Sequence, residues 1–460
     1  MIMQRPRGTR DFLPAESWKR RRAREAMQEI LGCWGYQEVA TPTFEHLELF
    51  TRKSGESVLE EIYSFQDKGG RDLALRPELT APVMRMYVSE LQNSPKPQRL
   101  FYFGNCFRYE RPQKGRFREF WQLGAELIGG AKPDSEAEVI ALAERTLHSV
   151  NVCGDIHVGY LGLVRSILEK IGGEHRPALM RMIDKKEREA LREYLEKIDA
   201  VHFGLQELID LKGKAALDKA LQIASDLGRD FVSSDLSRSV HDAGACAGAG
   251  AQEAAVASSE GRSSARTGRV VSTELKMDEF CQTVDLLDAY GVNYTIDFEI
   301  VRGLEYYSGT VFEIYAEGLG AQRQICGGGT YELASLFGGK ETSSTGFGLG
   351  FDRIMEIVQI DEKRKAPVFL VFTPDVKIDA AKIAMKLRES GLPVILDVMG
   401  RGFSAQLKAA KTADAQFAII IDRDKLDSGK LTLRDMSGGE QESLGLVEIE
   451  NRLKEHFSCC

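Results

Sequence analysis

No run of 18 or more consecutive apolar residues occurs in the sequence, so we expect no membrane-spanning helix. The opening residues, MIMQRPRGTRDFLP, also lack the apolar core of a secretory signal peptide. We therefore expect a cytoplasmic protein that does not bind a membrane. Its 460 residues, 43% of them hydrophobic and 28% charged, have a globular composition and are enough for about two to four domains.

Cysteine is scarce, and no two cysteines have the CxxC spacing that is typical of zinc and redox sites. The eight cysteines are Cys33, Cys106, Cys153, Cys246, Cys281, Cys326, Cys459 and Cys460. Most of them lie in apolar surroundings, which predicts reduced, buried thiols. A zinc site is the alternative, but we predict no structural metal bound by the protein.

Two common nucleotide-binding patterns are also absent. The sequence has neither the GxxxxGK[ST] of a P-loop nor the GxGxxG of a dinucleotide-binding fold. The formal net charge of −8 argues against a protein that is coated in nucleic acid. It leaves room for a local basic site.

The first part of the chain alternates between predicted strands and helices. Helical periodicity covers residues 15–35 and 134–150, and a strand is predicted at 155–160. YQEVATPTFEHLELF predicts a strand that is interrupted at Pro42 and followed by a helix, and proline limits such a strand to a sheet edge. RDLALRPELTAPVMRMYVSEL predicts a strand, a turn at Pro77 and a helix. QRLFYFGNCFRYERPQKGRFREFWQLGAELIG predicts two antiparallel strands with a long basic loop.

The later part of the chain changes character three times. Residues 161–235 have helical periodicity with many charges, as in an inserted helical module. Of the 23 residues at 243–265, 17 are Ala, Gly or Ser, which predicts a flexible loop. Strand patterns then return, and a charged linker at 360–366 precedes a strand-helix alternation that ends with a helix at 443–456. That alternation predicts a small α/β domain with its own sheet.

The hairpin loop concentrates charge. Six charged residues fall within eleven positions: Arg108, Glu110, Arg111, Lys114, Arg116 and Arg118. Arg108 and Glu110 share one face of a strand, and a fixed guanidinium can bond two phosphate oxygens. The alternative is a solvated, charged hairpin tip. On the return strand Gln122, Gly124 and Glu126 share one face, which suits the floor of a polar ligand site.

Three further segments each allow two interpretations. In LRPELTAP, Glu78 and Thr80 could receive an ammonium group or could cap a helix. In VRGLEYYSGTVFEIY, Arg302 precedes a glycine and Tyr306 and Tyr307 point to opposite faces, so the segment is either a ligand-binding edge or a core strand with an ion-paired arginine. In GFGLGFDRIM, glycines clear one face of a strand before Arg353, for a nucleotide or for tight packing.

Taken together, these segments resemble the class II aminoacyl-tRNA synthetases, and specifically the histidyl-tRNA synthetase family. TPTFEHLELFTRKSGE, with Pro42, resembles motif 1 of the family, and FGNCFRYERPQKGRFREFWQLGAE resembles motif 2. GFGLGFDRIM resembles motif 3, and VRGLEYYSGTVFE resembles the signature specific to histidine. The resemblance extends from Arg7 to Arg452.

The resemblance implies an α+β fold, with a six- or seven-stranded antiparallel sheet flanked by helices. Residues 1–165 and 286–360 would form the catalytic domain, 166–285 a helical insertion, and 367–457 an α/β anticodon-binding domain. Motif 1 would form a homodimer interface. The implied function is a histidine–tRNA ligase, which activates histidine with ATP to histidyl-adenylate and transfers it to the 3′ end of its tRNA, releasing AMP and pyrophosphate.

The resemblance also assigns site residues. Arg302, Arg108 and Arg353 would serve catalysis, and ATP, arriving with Mg²⁺, would be bound by Arg108, Glu110, Arg116 and Arg353. The residues implied for histidine are Glu78, Leu79, Thr80, Arg108, Gln122, Glu126, Arg302, Tyr306 and Tyr307. The residues implied for the tRNA acceptor end are Gln113, Lys114 and Arg116.

One departure and two rival functions remain. The family often has an arginine before the tyrosine of its GGRYD block, whereas this chain reads GGGTYE with Thr330 there, which puts one secondary contact in doubt. One rival is a regulatory paralogue of histidine biosynthesis, which typically lacks the C-terminal domain. The other is a non-catalytic tRNA-sensing module of the kind fused to kinases, although the sequence has no kinase motif.

Overall fold

The computed structural model describes residues 3–54, 59–109, 117–227, 273–301, 307–320, 323–360 and 366–458. The chain divides into two compact units, Met1–Ile360 and Asp361–Cys460. Among the described residues, no helix is long and apolar enough to cross a membrane.

In the part of the first unit that the structure describes, eleven strands form two sheets. In chain order they are β1 (Gln37–Glu38), β2 (Phe44–His46), β3 (Ser64–Gln66), β4 (Asp72–Leu75), β5 (Gln98–Phe107), β6 (Glu119–Ile128), β7 (Asp155–Tyr160), β8 (Tyr294–Ile296), β9 (Tyr307–Tyr315), β10 (Gln324–Tyr331) and β11 (Ser344–Gly350). The large sheet has the order β1-β5-β6-β11-β10-β9-β7-β8, and the small sheet has the order β2-β4-β3.

The large sheet confirms the predicted antiparallel core and extends it at both edges. Its six inner strands are antiparallel, whereas β1 lies parallel to β5 and β8 lies parallel to β7. Eight strands are therefore present where six or seven were expected. Parallel neighbours need a long crossover connection, and both edge strands are reached through intervening helices.

The predicted motif 2 hairpin is confirmed. β5 and β6 pair in antiparallel register from Gln98 opposite Ile128 to Phe107 opposite Glu119. The strand that was predicted to break at Pro42 is divided between β1 and β2, each at the edge of its sheet. Proline has no N–H to donate to a ladder, which explains the interruption.

Helices flank the large sheet. In chain order those of the first unit are α1 (Pro14–Cys33), α2 (Leu47–Ser54), α3 (Thr80–Met86), α4 (Lys132–His148), α5 (Leu161–Ile171), α6 (Arg176–Asp184), α7 (Arg188–Lys197), α8 (Leu205–Asp210), α9 (described residues 214–227), α10 (Thr273–Tyr290), α11 (Leu333–Leu336) and α12 (Phe351–Ile357). A π-helical turn, Tyr87–Leu91, continues α3. Helix α4 packs on four strands of the sheet and on α1 and α10, so it is buried on most sides.

The predicted helical character of 161–235 is confirmed for the described residues, which form α5 to α9. The Ala/Gly/Ser segment at 243–265 lies outside the described residues.

The second unit is the predicted small α/β domain. Its elements are β12 (Val368–Phe372), α13 (Lys377–Glu389), β13 (Val394–Leu396), α14 (Phe403–Thr412), β14 (Phe417–Ile421), α15 (Arg423–Asp427), β15 (Leu431–Asp435), β16 (Gln441–Leu444) and α16 (Leu446–Ser458). The sheet order is β13-β12-β14-β15-β16. All residues of β12 and β14 are buried, as expected for central strands that are covered on both faces.

Two details of this unit were predicted incorrectly or missed. The last helix begins at Leu446 rather than at residue 443, because residues 441–444 pair with β15 as an edge strand. The short helix α15 was not predicted. It is capped by Asp422, whose carboxylate accepts a hydrogen bond from the Lys425 N–H at 2.9 Å.

The five described cysteines are all free. Cys106 and Cys326 are buried as predicted, but the prediction was wrong for Cys33 and Cys153, which are exposed. Cys33 is the last residue of α1, and Cys153 lies in the turn before β7, so neither is part of the core. Within the described ranges, no three His, Cys, Asp or Glu side chains are grouped so that they could hold a metal ion.

Candidate active site

A cavity of about 490 Å³ lies over one face of the large sheet. Three of the residues that were predicted to form the site line it together, namely Arg108, Gln122 and Arg353. Arg108 and Gln122 come from the loop end of the motif 2 hairpin, just after β5 and near the start of β6. Arg353 comes from the helix after the glycine-rich strand, so the fold brings together segments that are far apart in sequence.

Glycines form part of the cavity floor. Gly327 of β10 pairs with Gly348 of β11, and both line the cavity along with Gly350. A β-carbon added at Gly348 would meet no atom within 4 Å. Tight packing of another backbone is therefore not the reason for the missing side chain at Gly348. The bare surface leaves space for a flat ligand.

Arg108 is held in place at the end of β5. Its backbone N–H donates to the Arg118 carbonyl at 2.9 Å, and its Nε donates to the Pro77 carbonyl at 3.0 Å. Its guanidinium carbon lies 5.0 Å from the centroid of the Phe120 ring. These contacts fix a positive charge at the cavity wall, as phosphate binding requires.

Arg353 lies in the first turn of α12, as predicted, and its Nη1 donates to the Gln324 carbonyl at 2.6 Å. The preceding residue, Asp352, anchors this turn. Its carboxylate accepts a hydrogen bond from the Trp121 N–H at 2.5 Å and pairs with Arg20 at 2.7 Å and with Arg10. Helix α12 is thus tied to the motif 2 strand and to the N-terminal segment.

Glu126 lies in a buried polar network next to the cavity. Only 1% of the residue is exposed, and the hydroxyl groups of Tyr102 (3.0 Å) and Tyr331 donate to its two carboxylate oxygens. Burial raises the pKa of Glu126 to about 7, although the tyrosine hydroxyls favour the ionised form and oppose that rise.

Glu126 occupies space that Gly346 leaves open. A β-carbon at Gly346 would lie 1.6 Å from Glu126 Oε2, so no larger residue fits while the carboxylate keeps this position. Gly346 lies opposite Glu126 in the pairing of β11 with β6. This glycine therefore serves packing, whereas Gly348 on the same face lines the cavity.

The network continues to Glu78 through Thr80, whose hydroxyl oxygen lies 3.3 Å from that of Tyr102. The Glu78 carboxylate accepts hydrogen bonds from the N–H groups of Thr80 (2.7 Å) and Ala81 (3.1 Å) and pairs with Lys53 at 3.1 Å. Of the two interpretations of this segment, the structure shows the helix cap. Because the cap also joins the network of Glu126, it does not contradict a ligand-binding role.

Two other predicted histidine contacts lie near this network. Leu79, just before α3, is buried. Tyr307 begins β9 opposite Tyr331, is 5% exposed, and its ring lies edge-on to that of Tyr331 with centroids 6.1 Å apart. Glu78, Thr80, Glu126 and Tyr307 thus belong to one group of contacts, and none of them is among the cavity lining. Glu126 is on the same face of β6 as Gln122, which does line the cavity.

Six predicted site residues lie outside the described residues. They are Glu110, Gln113, Lys114, Arg116, Arg302 and Tyr306.

The sequence interpretation missed Tyr102 and Tyr331, which bond Glu126 directly. Tyr102 lies opposite Gly124 in the hairpin. The predicted hairpin would therefore have placed Tyr102 close to Glu126 if the register of its two strands had been known. Tyr331 is 205 residues from Glu126 in the chain, and no local pattern joins them.

Thr330, where the family often has an arginine, lies on the face of the sheet opposite to Glu126. The Thr330 hydroxyl donates to the buried carboxylate of Glu136 on α4 at 2.7 Å. Glu136 also accepts from the hydroxyl groups of Thr310 (2.5 Å) and Thr283 (2.9 Å). Hydroxyl groups satisfy this carboxylate without a cation, so the missing arginine leaves the cavity residues untouched.

Two family models match the chain. The model described as histidyl-tRNA synthetase matches residues 8–247 and 249–354. The model described as an anticodon binding domain matches residues 359–456.

Relatives agree with both models over the full length. A histidine–tRNA ligase of Methanosarcina acetivorans is 48% identical over 456 residues, 98% of this chain and 99% of that protein. One of Archaeoglobus fulgidus is 44% identical over 445 residues, 96% of this chain and 97% of that protein. The solved histidyl-tRNA synthetase of Nostoc sp. PCC 7120 shares the fold with a TM-score of 0.74 at 21% identity, over 99% of this chain and 100% of that one.

The space left by Gly346 predicts unequal effects of two alanine substitutions on one strand. Gly346→Ala should destabilise the protein by about 1–3 kcal/mol because the new methyl group overlaps the Glu126 carboxylate. Gly348→Ala is the matched control and should leave stability unchanged, because open space surrounds it. Urea unfolding of both variants checks this, and equal effects would contradict it.

The raised pKa of Glu126 predicts a loss of stability with rising pH. An unfolded glutamate titrates near 4.5 and the folded one near 7, so the folded state binds more protons between these values. The free energy of unfolding should therefore fall with pH, by up to about 1.4 kcal/mol per unit. Glu126→Gln should remove the contribution of Glu126 to this slope in urea unfolding between about pH 4 and pH 8. A difference in stability between the two proteins that does not change with pH would show that folding does not raise the pKa of Glu126.

Proposed function

The chain belongs to the histidyl-tRNA synthetase family, and from this we propose how its own residues perform the reaction. Its activity is that of an aminoacyl-tRNA ligase, which joins histidine to tRNA with the use of ATP. The observation that carries the proposal is the cavity that combines two fixed arginines, a glycine floor and an adjoining buried carboxylate.

In the first step, a carboxylate oxygen of histidine attacks the α-phosphorus of ATP in line, and the bond to the pyrophosphate leaving group breaks. The products are histidyl-adenylate and pyrophosphate. This step depends on positioning and on positive charge more than on a covalent nucleophile. Mg²⁺ enters bound to ATP. In the second step, a ribose hydroxyl of the 3′-terminal nucleotide of the tRNA attacks the carbonyl carbon of the adenylate, and AMP leaves.

Arg108 is proposed to bind the α-phosphate, with Arg302 where charge develops in the transition state. Arg353 and Arg116 would hold the β- and γ-phosphates, and Glu110 would lie near the adenine amino group. This assignment is supported by Arg108 and Arg353, whose side chains line one cavity and are oriented by carbonyl oxygens. Fixed cations stabilise developing negative charge without reorganisation during the reaction.

Histidine is proposed to bind beside these arginines, where its cationic ammonium group and imidazole N–H would meet carboxylates. The contacting residues would be Glu78, Leu79, Thr80, Arg108, Gln122, Glu126, Arg302, Tyr306 and Tyr307. The connected network from Glu78 through Thr80 and Tyr102 to Glu126 supports this position. A site of buried polar groups rejects apolar analogues, because those groups would be left unpaired.

The tRNA is proposed to contact two regions. Gln113, Lys114 and Arg116 of the motif 2 loop would reach its acceptor end, and residues 367–457 would bind the anticodon, in keeping with the anticodon-binding match at 359–456. Residues 1–165 and 286–360 would then form the catalytic domain and 166–285 the insertion. The match over the second unit also disfavours the regulatory paralogue, which typically lacks this domain. A place in the cytoplasm would follow from a role in charging tRNA.

A homodimer is proposed, with an interface around motif 1. Phe44 of β2 and Phe65 of β3 are 53% and 45% exposed, and their rings lie 6.4 Å apart on the small sheet. An exposed aromatic pair beside the motif 1 segment is the kind of surface that a second copy would cover.

The ligase reaction predicts histidine-dependent exchange of pyrophosphate into ATP. Wild-type protein should catalyse it, and Arg302→Ala should abolish it because the charge that meets the carboxylate and α-phosphate is lost. Arg192→Ala, on the outer part of α7 with an ion pair to Glu196 at 3.3 Å, is the control and should remain active. A wild-type protein without histidine-dependent exchange would overturn the function. Near-normal exchange by Arg302→Ala would overturn only that residue's role.

The proposed interface predicts that charge at Phe44 and Phe65 separates the subunits. The Phe44→Asp/Phe65→Asp double variant should sediment as a monomer, because two carboxylates would be buried without partners in a dimer. Val201→Asp is the control, since Val201 is equally exposed at 54% but lies in the insertion. A double variant that still sediments as a dimer would place the interface elsewhere.

A further inference from the structure

Residues 297–301 form one wall of the cavity and directly precede the segment that carries Arg302. Asp297, Glu299, Ile300 and Val301 all line the cavity. On the side of the sheet, the backbone N–H of Asp297 donates to the Val158 carbonyl at 2.8 Å. His157 of β7 also contacts the Asp297 carboxylate, at 2.8 Å. Further side-chain contacts to this wall come from the insertion.

Two cations of the insertion bind the carboxylates of the wall. Arg188 is the first residue of α7. Its Nε and Nη2 donate hydrogen bonds to the two carboxylate oxygens of Glu299, at 3.0 and 2.9 Å. Lys212, between α8 and α9, pairs with Glu299 at 3.1 Å and with Asp297. The next residue, Gly213, donates its N–H to the Ile296 carbonyl at 2.8 Å.

The contacts are more than surface ion pairs. The Asp297 and Glu299 side chains are only 7% and 6% exposed. Burial alone would raise the pKa of Asp297, but hydrogen bonds from His157 and Lys212 outweigh it and lower the pKa. A two-pronged arginine contact also fixes orientation, which a single charge does not.

We propose that Arg188 and Lys212 are positioning residues for histidine activation, which hold the cavity wall at 297–301 in the shape that the substrates meet. The insertion thereby supports the chemistry of the catalytic sheet. This rests on the proposed function of the cavity. Neither residue is among those that line the cavity, so we expect them to act on the rate of the chemical step through the wall that they hold.

The test compares Lys212→Met, Arg188→Met and the double variant in histidine-dependent pyrophosphate exchange. The double variant should lose about tenfold or more in kcat, with a smaller change in the KM for ATP and histidine, because small misplacements slow the reaction more than they weaken binding. Lys212→Arg should retain most of the activity, since it keeps the charge. The single variants provide the same test if the double variant fails to fold.

Controls come from the same insertion. Arg192→Met and Lys219→Met remove ion pairs to Glu196 (3.3 Å) and Glu207 (2.5 Å), which lie away from the wall, and should exchange at the wild-type rate. Hydrogen exchange followed by mass spectrometry adds a structural readout. Amides at 296–301 should exchange faster in the double variant than in the wild type. In both controls they should exchange at the wild-type rate.

The outcomes separate this inference from the proposed function. A wild-type protein without histidine-dependent exchange contradicts the function itself. If the wild type is active and the kcat of the double variant is within about twofold of the wild-type value, only the positioning role is overturned. This holds whether or not the amides at 296–301 exchange faster. An equal loss in the control variants also overturns it, because the effect would then be general to the insertion.

Discussion

The site depends on the burial of one carboxylate. Glu126 lies almost fully out of water, and an ionised group there is costly unless hydrogen bonds replace its hydration. Tyr102 and Tyr331 supply them, and Gly346 supplies the space. These residues belong to β5, β6, β10 and β11, so satisfying one side chain fixes four strands relative to one another. The cavity arginines and the glycine floor take their positions from the same strands.

A second buried carboxylate joins elements of the structure on the opposite face of the sheet. Glu136 of α4 joins Thr310 of β9, Thr330 of β10 and Thr283 of α10. Burial raises its pKa, which the surrounding hydroxyl groups oppose. The sheet is therefore held by a buried acid on each side, one next to the ligand cavity and one under the helices. Thr330, where the family often has an arginine, takes part in this contact through its hydroxyl group.

Local patterns in the sequence predict much of this arrangement. Alternation and turn residues indicate the motif 2 hairpin, the glycine-rich strand before Arg353 and the small α/β domain, since each depends on neighbours in the chain. The parallel pairing of β1 with β5 and of β8 with β7 was not predicted, nor were the contacts of Tyr331. They depend on pairing between distant segments, and periodicity carries no information on register. For Glu78, spacing left two roles open, and only the position of Tyr102 shows that one carboxylate can serve a cap and a network together.

The parallel edge formed by β7 and β8 has a consequence for synthesis of the chain. Helices α5 to α10 lie between these two strands in sequence, and β11, the inner neighbour of β6, comes later still. A nascent chain that ends within these helices has β6 and β7 made, but it lacks β11, which pairs with β6, and β9 and β8, which pair with β7. Both strands then present unpaired edges. Such edges invite association with other chains, and closing them requires contacts of long sequence separation, which form slowly. The gap in the sheet closes only when β8 to β11 have left the ribosome. Until then the chain is most exposed to misassembly.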